Sequence, residues 1–83
     1  MRLLELTWQE AEAHFSDQPS VIIPTGSVEQ HGPMGLIGTD SICSEQISWH
    51  AAKIVNAVVA PTLTYAPAPF NMSFPGTMSL SEN

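Results

Sequence analysis

Residues 22–40 read IIPTGSVEQHGPMGLIGTD, and the order of residues in this stretch decides how the rest of the chain is understood. A short apolar run stops at Pro24, Glu29 and His31 follow two residues apart, and glycine-rich turns lead on to Asp40. Glycine and proline shape a backbone, whereas Glu29, His31 and Asp40 carry the oxygen and nitrogen atoms that bind divalent metals. An extended 27–31 segment would put Glu29 and His31 on one face and Gln30 on the other. Gly32-Pro33 turns the chain, and Gly35 and Gly38 let it bend, so that Asp40 can return toward the same point. Three protein ligands leave a position for water, whose pKa a metal brings to about 7. Spacing alone also admits a plainer account, with Glu29 and His31 a chance pair and Asp40 a helix cap.

Outward from this loop, the flanks read as a strand, a helix and a second strand. Upstream, Ser20 to Ile23 is a compact β-branched run bounded by turn residues, which suits a buried strand. Downstream, a helix over Ser41 to Val55 is capped by Thr39 or Asp40 and terminated by Asn56. Its buried stripe is read as Cys43, Ile47, Ala51, Ile54 and Val55. Ala57 to Leu63 then reads as another buried strand, weakened by Pro61. Strand, helix and strand together imply a parallel pair with a right-handed crossover. Both long loops then leave strand ends, where open parallel sheets place their ligands.

The remaining segments are shorter. Arg2 to Leu6 is an edge strand or an extended lead-in. Thr7 and Glu10 form a capping box for a helix over Trp8 to Phe15, whose packing face is Trp8, Ala11 and Phe15. Tyr65 to Thr77 is a Pro-rich loop, followed by a short strand at Met78 to Leu80 and a candidate helix cap at Ser81. His14 and His50 fall on helix surfaces or boundaries, and Trp8 and Trp49 read as packing anchors.

Composition narrows the partners. Two basic residues, Arg2 and Lys53, stand against eight carboxylates, which argues against nucleic acid and against anionic membranes. A chain that is 43% hydrophobic and 12% charged is too apolar for a disordered tail. No run approaches the roughly 18 apolar residues of a membrane helix, and the acidic N-terminus lacks a secretory signal. With the lone Cys43 this makes the cytoplasm the expected compartment. Cys43 lies on the apolar stripe and reads as a buried structural thiol. Ser27, in T-G-S-V-E, lacks the second glycine of a nucleophile elbow and instead fixes the turn before Glu29.

The string PTGSVEQHGPMGLIGTD resembles the signature of the creatininase, or creatinine amidohydrolase, family, approximately P-x-G-S-x-E-Q-H-G-P-H-L-P-x-x-T-D. FPGTMSL, at Phe74 to Leu80, resembles that family's second block, in the expected order. The resemblance implies a three-layer α/β/α sandwich with a mostly parallel sheet, commonly assembled into a homo-oligomer, a hexamer. It implies a two-metal centre in which Glu29 binds one ion, His31 the other and Asp40 both, with Gln30 and Ser27 supporting the ligand loop. The ions would be zinc, with manganese or iron as alternatives, and the substrate a small-molecule amide or cyclic amide outside peptides, hydrolysed by metal-activated water.

The chain departs from the pattern at Met34-Gly35-Leu36, where the family has His-Leu-Pro. It departs again at Ala66 to Asn71, where many members have Gly-x-Ser-x-Glu-His. Met34, Phe70 and Asn71 are therefore the candidates for shaping a substrate pocket. The family's remaining ligands come from an Asn-Gly-His segment and a nearby Glu, and neither Glu82 nor the helix histidines replaces them. Residues 1–83 are accordingly expected to be one partial domain, the N-terminal portion of such an enzyme. The alternative is a catalytically silent paralogue, or a metal-binding or structural subunit.

Overall fold

The computed structural model describes residues 1–81; Glu82 lies outside them. Its first regular element is a 3-10 turn at Leu3–Glu5, so in place of an edge strand or an extended lead-in there is one parallel bridge from Arg2 to Val59. Helix α1 then spans Trp8–Asp17. Thr7 Oγ1 accepts from the Glu10 amide at 3.2 Å, and the Thr7 amide donates to Glu10 Oε1 at 2.9 Å. The reciprocal pair satisfies donors that an isolated helix end leaves open. Of the expected packing face, Ala11 and Phe15 are half-buried, but Trp8 is 72% exposed and anchors nothing.

Strand β1 (Val21–Ile22) pairs in parallel with β2 (Val58–Val59), Val21 opposite Val58 and Ile22 opposite Val59. Single bonds prolong the pairing toward the loops. Ala60 N donates to Ile22 O at 2.9 Å, Leu63 N to Pro24 O at 2.9 Å, and Gly26 N to Leu63 O at 2.8 Å. The ladder skips between Ala60 and Leu63, the stretch that contains Pro61. Only β2 is fully buried; Val21 and Ile23 are exposed.

Between the strands, α2 runs Thr39–Val55 and ends on Asn56, whose left-handed backbone (φ 55°, ψ 43°) closes the helix as expected. Its start differs from expectation. Gly38 is the N-cap and offers no side-chain bond, while Thr39 Oγ1 donates to Leu36 O at 2.6 Å. Asp40 sits inside the first turn, where the helix dipole favours a carboxylate.

The buried face of α2 is also not the expected one. Ser41, Ser48 and Ala52 are buried, whereas Cys43, Ile47, Ala51, Ile54 and Val55 are all exposed. Small side chains let the helix backbone approach β2 closely. The core that results is Ala52, Ala57 and Val59, with Ile22 and Trp49 packed against it. Val58 is fully buried, a contribution of roughly 1.5–3 kcal/mol for a side chain of this kind. The chain spreads over 46 × 31 × 16 Å, thin in one direction, so a single helix–sheet contact constitutes the core.

Tyr65 to Thr77 contains a 3-10 turn at Pro69–Asn71 that spacing did not reveal. The strand expected at Met78 to Leu80 is one antiparallel bridge, Val28 to Met78. No helix among the described residues is long and apolar enough to cross a membrane.

Candidate metal centre

The loop after β1 is fastened to the start of α2 by a close backbone approach. A Cβ on Gly26 would lie 2.5 Å from Ser41 Cα and 2.6 Å from Ser41 N, so only glycine permits it. The buried Ser41 hydroxyl donates to Ser27 O at 2.9 Å. Together these contacts bring the first turn of α2, and with it Asp40, beside residues 27–31.

Around that junction the three candidate ligands come together. Ser27 Oγ lies 2.6 Å from both Glu29 Oε2 and Asp40 Oδ2, and His31 Nε2 lies 3.1 Å from Asp40 Oδ2. A hydroxyl has one proton to donate, so Ser27 satisfies only one of the two carboxylates at a time. The other oxygen pair is left in close contact, an arrangement that a cation or a further proton relieves. The Ser27 hydrogen bond, followed by that of His31, holds the Asp40 carboxyl below its ordinary value of 3.8. In chemistry the donors suit a divalent ion: two carboxylates and an imidazole beside one another. They now converge on one another rather than on a common point; among the described residues no three such groups stand in a geometry that holds an ion.

The second loop buttresses the first. Thr77, itself buried, accepts from Gln30 N at 3.2 Å, and Met78 N donates to Val28 O at 2.8 Å. Gly76, with φ of 91°, turns the chain so that Thr77 reaches this position. Residues 27–31 are extended only around the bridge at Val28, and the expected sorting of side chains onto two faces does not hold. Glu29 and Gln30 both reach Asn71, Glu29 Oε1 accepting at 2.6 Å and Gln30 Nε2 donating at 2.8 Å. Asn71, a pocket candidate from sequence, is therefore engaged with the ligand loop itself. Spacing gave no sign of this contact across 42 residues.

Beside His31 lies a cavity of about 360 Å³ walled by Gln30, Pro33, Ile37, Phe74 and Pro75. Met34 and Phe70 do not line it; they are 93% and 94% exposed. A larger cavity of about 500 Å³, between Arg2, Trp49 and Lys53, contains none of the three donors.

The same fold occurs in known proteins. The family model described as creatinine amidohydrolase (creatininase) matches residues 4–83. The creatinine amidohydrolase of Pseudomonas putida is 34% identical over 82 residues, covering 92% of this chain and 32% of its own. The mycofactocin precursor peptide peptidase of Mycolicibacterium smegmatis is 35% identical over 68 residues, 75% of this chain and 28% of its own. A crystal structure of creatinine amidohydrolase superposes with a TM-score of 0.88 at 31% identity, over 96% of this chain and 33% of that one. A manganese form of creatininase superposes equally well, with a TM-score of 0.88 at 30% identity over 96% of this chain and 34% of that one. The chain thus spans about a third of the length of the relatives it matches. Its α/β architecture is the one expected from its sequence. With a family match over nearly every residue and two motif blocks packed against each other, the chain belongs to the creatininase family.

Proposed function

We propose that the intact protein is a metal-dependent amidohydrolase in which Glu29, His31 and Asp40 hold divalent ions, two per complete site. The observation that carries this reading is the meeting of Glu29 Oε2, Asp40 Oδ2 and the Ser27 hydroxyl, with His31 Nε2 against the same Asp40 oxygen. Creatininases have been solved in manganese and zinc–zinc forms, which makes zinc and manganese the first ions to test. A bound divalent ion supplies a water of lowered pKa and polarises a carbonyl.

The chain's own residues supply the frame. Ser27 stands between the two carboxylates and donates to one at a time, and Asp40, ionised well below neutral pH, is ready to bind an ion without first losing a proton. The apolar wall of Phe74, Pro75, Ile37 and Pro33 gives a neutral substrate flank a surface to rest on beside His31. The bond broken is an amide carbon–nitrogen bond. The leading substrate class is a small or cyclic amide, as the name of the Pseudomonas putida relative suggests. A peptide amide is the second reading, favoured by the similarity to a precursor-peptide peptidase. A subunit that binds metal or a partner without turnover is the rival reading. Homo-oligomeric assembly belongs to the leading proposal.

Metal content and hydrolysis of creatinine and of a short peptide amide by the zinc- or manganese-loaded intact protein test these readings together. The enzyme reading expects two ions per chain and turnover, with His31→Ala losing an ion and the activity. Metal-loaded protein inert toward both substrates would sink it, as would His31→Ala retaining full metal content.

A further inference from the structure

We propose that Asn71 is a positioning residue for Glu29, standing at the end of a relay of side-chain amides that begins at the backbone of Gly32; the proposal rests on Glu29 being a metal ligand. The direction of the relay follows from its first member. A backbone N–H only donates, so the Gln30 atom 2.8 Å from Gly32 N is its oxygen, Oε1. The other end of that amide, Nε2, then faces Asn71 at 2.8 Å, and the atom it meets is Oδ1. With Oδ1 so placed, Asn71 Nδ2 is the atom turned toward Glu29 Oε1, at 2.6 Å. Each amide is oriented by the one before it, and the orientation needs no further assumption.

The relay is built on backbone that cannot easily relax. Gly32 has φ of 76°, a conformation in which a side chain is strained, and this turn aims its N–H back at Gln30. Asn71 closes the 3-10 turn begun by Pro69, and its carbonyl accepts from Phe74 N at 3.1 Å. Asn71 therefore holds Glu29 at Oε1, while Oε2 shares the single Ser27 proton with Asp40, so Asn71 is the donor that keeps the carboxylate facing Asp40. A neutral N–H donor is what the position requires. An aspartate there would oppose the Glu29 carboxylate with like charge, and an alanine would release it.

The test uses the metal-free intact protein, titrated calorimetrically with zinc alone, with circular dichroism and thermal midpoints as controls. Asn71→Ala and Asn71→Asp are expected to weaken zinc binding about 10–100-fold, the usual cost of losing a partner of a metal ligand. Asn71→His, which keeps an N–H donor, is expected to restore much of the affinity, and Gln30→Ala to lie between. A second readout does not depend on metal: the Asn71 side-chain amide resonances of the apo protein should shift on Glu29→Gln. Wild-type zinc affinity in both Asn71→Ala and Asn71→Asp would overturn the relay while leaving the metal site standing. If wild-type protein binds no zinc, the metal site falls, and unmoved Asn71 resonances in Glu29→Gln would overturn the contact itself.

Discussion

The junction between the two loops and the outer face of α2 are built on opposite terms. At the junction the buried side chains are hydroxyls, Ser27, Ser41 and Thr77, each holding backbone or carboxylate. On the outer face of α2 the side chains are large and apolar, yet Ile47 and Ile54 stand in the open, Ile54 at 85% exposure. Position at the junction is set by directional hydrogen bonds and one close backbone approach. The apolar face is set by nothing within the described residues. Directional contacts in this chain are therefore gathered where chemistry is proposed.

That contrast can be broken most sharply at Gly26. Gly26→Ala puts a Cβ against the Ser41 backbone, and forcing the two apart is expected to cost about 1–3 kcal/mol. Denaturant unfolding reads the loss, and zinc titration reads the displacement of Asp40 from Glu29. An unchanged stability would mean that the loop and α2 are not locked together.

A smaller effect is expected at the start of α1, far from the site. Thr7→Ala is expected to cost about 1 kcal/mol with zinc affinity unchanged. The same cap carries a pH dependence of known sign. The Thr7 amide, then its hydroxyl, holds the Glu10 carboxyl below its ordinary 4.5, so the carboxylate's contribution is complete above that pH. It is lost as pH falls through the folded value. Helicity followed by circular dichroism in acid should show this loss, and Glu10→Gln should remove it.

The smallest effect is expected on the outer face. Ile54→Lys should change stability by less than about 0.5 kcal/mol, as exposed substitutions do. A loss of about 2 kcal/mol or more, the scale of a buried aliphatic side chain, would show that the face is covered in the intact protein.

How much of this was legible in the sequence depended on the range of the interaction. The Thr7–Glu10 box, the Asn56 terminator and the strand–helix–strand order are local, and their residue types announce them. The buried face of α2 was misjudged because periodicity weighs size. Ser48 and Ala52 are buried for the opposite reason, since small side chains let the helix come close to β2, where Ala52 packs with Val59. Trp8 carried the same error. At the site, the three candidate ligands were recognisable from residue type and family resemblance, and the structure brings them together. The Asn71 relay was not legible, because a hydrogen bond between residues 42 apart leaves no periodic trace.

One pairing remote from the site bears on how this molecule can be watched. Arg2 stacks its guanidinium 3.5 Å above the Trp49 ring, half-buried beside β2, while Trp8 projects into water. The two indoles therefore differ in their light. Trp8 should emit at long wavelength and be quenched readily by acrylamide, and Trp49 at shorter wavelength and with protection. Loss of the protected component reports detachment of the N-terminal segment from the sheet, with no label added to the chain.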